Sequence, residues 1–352
     1  MKIHLLEAVH GNFGDELNRW LWHAVLPGMW DGVGDTLFVG IGTVLDRNLP
    51  SARTAIVFGT GAGYTAPPPD IATNPARWRI YGVRGPLTAR ALGLDPRLAM
   101  TDPAILLATL DQFRGLSRRG VIFVPHWKSV RYGYWERICA SLGIEFVDPC
   151  RDSKWVVGRI ASAEKVIAES MHAAIIADAF RVPWIPIALS REISPFKWVD
   201  WAASLDIPYR PTCLPASNRI ESLRNALLQW SVHANAMDYP AQYDGMDRLM
   251  ADFETIGRRI NQAWRWNASI GLEVVMKRLA RLGLREVPRR GVAHSERLFD
   301  AATEQLARVQ ASAGWLSTDL AHARSLERTL IRLEDFARDW RGGTLPPPTT
   351  PA

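Results

Sequence analysis

Cysteine is scarce in this chain. Its 352 residues include three, Cys139, Cys150 and Cys213, scattered and without a Cys-x-x-Cys spacing. That excludes a disulfide framework and a zinc ribbon, and it fits a reducing compartment. Long apolar runs are missing too. Nothing approaches the roughly 18–20 uninterrupted apolar residues that a membrane-spanning helix needs. The opening Met1–Glu7 meets an acid too early for a secretory leader, so the expectation is a cytoplasmic protein. No Asp-x-Asp pair, His-Glu-x-x-His or Gly-x-Ser-x-Gly is present, which leaves metal-dependent hydrolysis and serine-esterase chemistry without support. Neither glycine-rich turn, Gly40-Ile41-Gly42-Thr43 or Gly59-Thr60-Gly61-Ala62-Gly63, completes a P-loop or a dinucleotide fingerprint.

A sizeable apolar share, 47%, excludes an intrinsically disordered chain and supplies a core for two domains of ordinary size. The formal charge of +6 selects no partner, nucleic acid included. Residues 1–214 carry 23 Lys/Arg against 20 Asp/Glu, and residues 215–352 carry 19 against 16. One local cluster stands out: Lys277–Arg290 holds six basic residues and a single acid, Glu286. With apolar Val274, Val275 and Met276 beside it, the segment 274–290 is a candidate for peripheral contact with an anionic membrane surface. A solvated basic helix face accounts for the cluster equally well.

Hydrophobic periodicity divides the chain. Lys2–Val9, Thr36–Ile41, Thr54–Phe58 and Arg79–Val83 have the brevity of buried parallel strands, with Asp15 a candidate helix cap and Pro86 opening a helix. A second series runs from Gly120–Val124 through a helix at Tyr132–Leu142 to strands at Ile144–Val147, Lys165–Ala168 and Pro183–Ala188, with a helix at His172–Phe180. The fold class is therefore α/β: two Rossmann-like domains, 1–112 and 113–214, facing a cleft. Residues 215–344 read as a helical extension and 345–352 as a disordered Pro/Thr tail. The 3-4 spacing of Leu306, Val309, Ala313, Leu316, Leu320 and Ala323 suits a helix packed on the body or a short coiled coil for homo-oligomerisation.

Ligands in such sheets sit at the carboxyl ends of the strands. The strongest local site is Glu169-Ser170-Met171-His172-Ala173, where a strand turns into an apolar helix. His172 falls in the first helical turn, beside free N–H groups that favour a phosphate or carboxylate. A histidine packed at a strand–helix corner fits the same spacing. Arg84 holds the matching place after an earlier strand, where a guanidinium can fork onto an oxyanion, or simply face solvent. Lys197 follows a helix-start signature. His126 and Lys128 sit just past another strand end. Asn12, Asp15, Gly61 and Asp102 are the remaining loop candidates, on the acceptor side.

In order along the chain, Gly11-Asn12-Phe13-Gly14-Asp15-Glu16, Gly82-Val83-Arg84-Gly85, Thr101-Asp102-Pro103-Ala104, Pro125-His126, Glu169–Ala173 and Phe196–Trp201 together resemble the polysaccharide pyruvyl transferase family. The resemblance covers about residues 1–210 and looks most like the branch that modifies bacterial exopolysaccharides such as succinoglycan. It implies a GT-B-like arrangement of the two domains. It also implies phosphoenolpyruvate as donor, a pyruvate ketal on a sugar of a lipid-linked repeat unit as product, and no cofactor or metal. At family positions, Arg84 and Lys197 would serve the donor and His172 would be the acid. Many members carry a basic residue where this chain has Ser170, so Lys128 or the helix N-terminus would take over that phosphate contact. The alternatives are a nucleotide-sugar glycosyltransferase on the same scaffold, or a non-catalytic assembly subunit of a polysaccharide pathway.

Overall fold

Short apolar runs become parallel strands. In the computed structural model, residues 1–5, 11–32, 35–45, 49–64, 66–228, 231, 246–260, 270, 271, 274, 275, 278 and 292–343 are described. Strands β1 (Lys2–Ile3), β2 (Thr36–Val39), β3 (Thr54–Phe58) and β4 (Trp78–Gly82) pair side by side in that order, all parallel. Phe38, Val39, Ile56, Val57 and Phe58 are fully buried, as strands covered on both faces require. Helices α1 (Phe13–Glu16), α2 (Leu21–Val25) and α3 (Pro86–Ala91) belong to this part, with Pro86 in the first turn of α3. Asn12, not Asp15, stands at the N-cap position of α1, and Asp15 lies inside its first turn.

The second sheet holds β5 (Val121–Val124), β6 (Glu145–Phe146), β7 (Lys165–Ala168), β8 (Trp184–Ala188) and β9 (Thr212–Cys213). Its order is β6-β5-β7-β8-β9, again all parallel. The connections carry α4 (Trp135–Ser141), α5 (Ser153–Ala161), α6 (Met171–Ala179), α7 (Pro195–Ala203) and α8 (Arg219–Leu227). All of α6 is buried, as its nearly uninterrupted apolar sequence demands, and it packs on the 3-10 segment Pro103–Thr109. Helix α7 packs on α3, so both helices tie the second sheet's connections to the first part of the chain.

Among the described residues, α9 (Met246–Ile260) packs on α3 and α7, while α10 (Val292–Ala311) and α11 (Asp319–Arg341) close over the sheets. Phe253 of α9 stacks on Phe196 at 4.5 Å. Ala302, Leu306 and Val309 of α10 join the cluster around Phe123, Trp135 and Ile187. Phe336 of α11 is fully buried against Phe38, Phe58 and Tyr81, with ring centroids 5.4, 6.3 and 5.2 Å away. Between α10 and α11 the chain leaves the helix, and Trp315 exchanges backbone hydrogen bonds of 2.7 and 3.0 Å with Trp184. The 3-4 spacing from Leu306 to Ala323 therefore does not run along one helix. Leu316 and Leu320 are exposed, and the apolar faces of α10 and α11 are spent on the chain's own sheets.

Among the described residues no helix is long and apolar enough to cross a membrane. Val274 and Val275 are exposed. Most of the basic segment 274–290, and the tail 345–352, lie outside the described residues.

Candidate functional site

The carboxyl ends of both sheets contribute to one cavity of about 290 Å³. Its wall takes Asn12 and Asp15 from the start of α1, Thr43 from the turn after β2, and Tyr64 from the loop after β3. Opposite stand His126, Trp127 and Lys128 after β5, Ser170, Met171 and His172 after β7, Glu192 after β8, and Lys197 in α7. Seven sequence candidates thus line one cavity: Asn12, Asp15, His126, Lys128, Ser170, His172 and Lys197.

Arg84, Gly61 and Asp102 stand behind it. Arg84 is fully buried; it donates to Asp200 from Nε (3.1 Å), to Thr43 from Nη1 (2.8 Å) and to the carbonyl of Ala62 from Nη2 (2.9 Å). Arg84 therefore reaches the cavity through the Thr43 side chain and through its charge. Gly61 explains how it is seated: a Cβ there would lie 2.3 Å from the guanidinium carbon. The close approach that Gly61 permits is to Arg84, where a ligand was expected. Asp102 caps the 3-10 segment, its Oδ1 accepting from the Ala104 N–H at 3.0 Å.

His172 is held from two sides. A Cβ on Gly14 would lie 1.9 Å from its Nδ1, so α1 presses against the ring. Its Nε2 is buried without a hydrogen bond and lies 3.9 Å from Oδ2 of Asp102, which is also unpartnered. Burial, then the charges of Lys197 and Arg84, push the imidazole down to about 3. His126 is held down to about 3 as well, mainly by burial. Lys197 donates to the Tyr64 hydroxyl at 2.6 Å and lies over that ring at 4.1 Å. Burial and then Arg84 lower its amine to about 7. Burial raises Asp15, which accepts from Asn12 at 2.7 Å, to about 6. The site thus keeps cationic and acidic groups close to their titration points, a pattern typical of functional sites.

At the far wall, Lys128 donates to Glu192 at 2.6 Å, and Glu192 also takes Arg224 as an ion-pair partner. Those two cations hold the buried Glu192 carboxyl below its usual range despite its burial. Glu169 anchors this wall: it accepts from the backbone N–H of His126 (2.7 Å) and of Leu189 (3.1 Å), tying the loops after β5 and β8 together. Ser170 sits at the N-cap position of α6 without a side-chain cap bond, so the helix's positive end opens toward the cavity beside His172.

Sequence reasoning missed Tyr64, Thr43, Trp127, Met171 and Glu192 on the wall, and Asp200 and Arg224 behind it. Trp127 was adjacent to two candidates, and Thr43 and Tyr64 close the two glycine-rich turns. Nothing local marked Glu192 or Arg224, and Asp200 stood in the run Phe196–Trp201 without a role of its own; all three act through contacts 32 to 116 residues away in the chain.

A family model described as polysaccharide pyruvyl transferase matches residues 41–191. Succinoglycan biosynthesis protein ExoV of Rhizobium meliloti (strain 1021) is 38% identical over 342 residues, covering 97% of this chain and all of that protein. The chain belongs to the polysaccharide pyruvyl transferase family. Membership implies a transferase with a polysaccharide acceptor. The matched window includes Thr43, Tyr64, Arg84, Asp102, His126, Lys128 and His172, whereas Asn12, Asp15, Glu192 and Lys197 lie outside it. Two variants of the wall teichoic acid polymerase TagF align at 12% identity with TM-scores of 0.28 and 0.31. They cover 72% and 79% of this chain and 74% and 89% of theirs; scores this low carry no argument about the fold.

Proposed function

We propose that the chain transfers pyruvate from phosphoenolpyruvate to a sugar of an exopolysaccharide repeat unit, closing a ketal across two neighbouring hydroxyls without a cofactor. The observation that carries this reading is the setting of His172: a neutral imidazole in the wall of a cavity that Lys197, Lys128, buried Arg84 and a helix N-terminus make receptive to a multiply charged anion. The donor carries up to three negative charges. Lys197 and the end of α6 would hold its carboxylate and phosphate, with Arg84 reinforcing them from behind. A cavity of about 290 Å³ suits so small a donor.

Donor binding then controls the acid. The two cations that depress His172 are offset by the bound anion, so the imidazole gains basicity only when there is something to protonate. His172 gives a proton to the methylene carbon, which makes the adjacent carbon electrophilic. One sugar hydroxyl adds to that carbon, and the neighbouring hydroxyl displaces phosphate. Of the two hydroxyl protons released, one leaves with phosphate and the other restores the acid. Asp15, in the same wall and raised to about 6, would accept a hydroxyl proton.

On this reading the two sheets are Rossmann-like units facing a cleft in a GT-B-like manner. The acceptor is lipid-linked at the inner face of the cytoplasmic membrane, where Lys277–Arg290 would meet anionic lipid. Calorimetric titration tests the donor assignment. Phosphoenolpyruvate should bind, and bind more weakly to Lys197→Met. Binding of a nucleotide sugar with no response to phosphoenolpyruvate would point to a glycosyltransferase instead.

A further inference from the structure

We propose that Asp102 is the proton partner of His172, the carboxyl group that supplies the proton His172 passes to the donor's methylene carbon. The inference rests on the reading of His172 as the acid. Buried polar atoms almost always find a hydrogen bond, because an unsatisfied one carries its full desolvation cost. Among the buried side-chain atoms that lack one in the described residues are Oδ2 of Asp102 and Nε2 of His172, and these two face each other at 3.9 Å. A hydrogen bond between them would need about 2.7–3.2 Å, so a movement of roughly 1 Å completes it.

The two oxygens of Asp102 are divided between tasks. Oδ1 caps the segment Pro103–Thr109, on which α6 packs, so the carboxyl group is fixed to the structure that carries His172. Oδ2 has no structural duty. From the opposite side Gly14 leaves the ring no room to withdraw. The imidazole is thus confined between α1 and the spare carboxylate oxygen.

Charge arrangement decides where the proton rests. Burial raises Asp102 to about 6, opposed by its capping bond and by Arg84 and Lys197, and assisted by Asp15. His172 is lowered by burial and by those same two cations. Before a donor binds, the carboxyl is therefore the better proton holder. A bound trianion favours protonation of both groups and favours positive charge on the ring nearest to it. The proton then moves from the Asp102 carboxyl to Nε2, leaving a carboxylate that Arg84 stabilises and an imidazolium. The imidazolium gives up one proton to the methylene carbon and returns to neutral. A hydroxyl proton from the acceptor returns to the ring, and Nε2 hands its proton back to the Asp102 carboxyl group, so the cycle closes without any external acid.

Asp102→Asn tests this, because its amide oxygen keeps the cap while its amide nitrogen carries no transferable proton. Asp102→Ser, another capping residue, serves as a second variant. In ligand-free protein with nitrogen-labelled histidine, the Nε2 resonance of His172 should shift as Asp102 titrates while the ring stays neutral. That step should vanish in Asp102→Asn. In turnover, acceptor-dependent phosphate release near neutral pH should fall by about 10²–10⁴-fold in Asp102→Asn, and the alkaline limb of the kcat profile should move to lower pH. A His172 resonance indifferent to the substitution would overturn the pairing. So would a loss of kcat equal at every pH, which marks a purely structural role. If the resonance behaves as expected and phosphoenolpyruvate is not turned over by the unsubstituted protein, the pairing stands and the donor assignment fails.

Discussion

Replacing Gly14 by alanine would put a methyl group 1.9 Å from Nδ1, 2.4 Å from Cγ and 2.8 Å from Cβ of His172. Ordinary contact begins at 3.4 Å, so the ring atom nearest the methyl must retreat by about 1.5 Å. Rotation of the ring about its own axis does not relieve the clash, since Cβ of His172 is also too close. The side chain must change rotamer, or α1 or α6 must move. Misplacing a catalytic group by about 1 Å costs on the order of 10² in rate, so kcat of Gly14→Ala should drop by at least about that factor. The fold should survive. Overpacking costs about 1–3 kcal/mol, and alanine in place of glycine within a helix returns up to about 1 kcal/mol. Phosphate-release kinetics beside urea denaturation separate the two effects. An alanine variant with native kcat and a His172 ring whose nitrogen resonances show it displaced would refute the placement of His172 as the acid.

Three further outcomes follow from the same geometry. Donor affinity should be greatest below about pH 6 and weaken as pH rises: Lys197 loses its proton near 7, and Asp15 and Asp102 become anionic near 6. Every one of these changes works against an anion, and a calorimetric Kd that is flat between about pH 6 and 8 would contradict it. Arg84→Met should destabilise the protein by about 3 kcal/mol in urea denaturation. It orphans the buried Asp200 carboxylate, leaving only the Thr88 N–H (2.8 Å) and hydroxyl (2.6 Å) to satisfy it. Phe336→Ala should cost about 3–5 kcal/mol by the same measurement, since the ring fills the space between Phe38, Phe58 and Tyr81; a near-neutral effect would mean that α11 is dispensable to the first sheet.

Much of the sheet structure was legible because buried parallel strands announce themselves as short apolar runs. Thr54–Phe58 and Lys165–Ala168 were read to the residue, and Val121–Val124 and Trp184–Ala188 to within one. Strand β9 has two residues and α5 begins after an Asp152 cap that no long periodic run announces, so both escaped. The C-terminal helices were visible as helices, but their direction of packing was not. Leu306 and Leu320 share a spacing; one is fully buried in the second sheet's cluster and the other is exposed, because the chain breaks its helix to pair Trp315 with Trp184. At the site, residues just past strand ends could be nominated from topology alone. Which of them reach the cavity depended on packing: Arg84 is drawn behind the wall by Asp200, a partner 116 residues away, while Lys197 comes forward to Tyr64.

Phosphate release from phosphoenolpyruvate, with and without acceptors ending in galactose, glucose or mannose, tests the central claim most directly. Release should depend on one of these acceptors, be accompanied by a ketal on that sugar, and be abolished in His172→Ala. Release unaffected by His172→Ala, or no release with any acceptor while a nucleotide sugar is consumed, would contradict it.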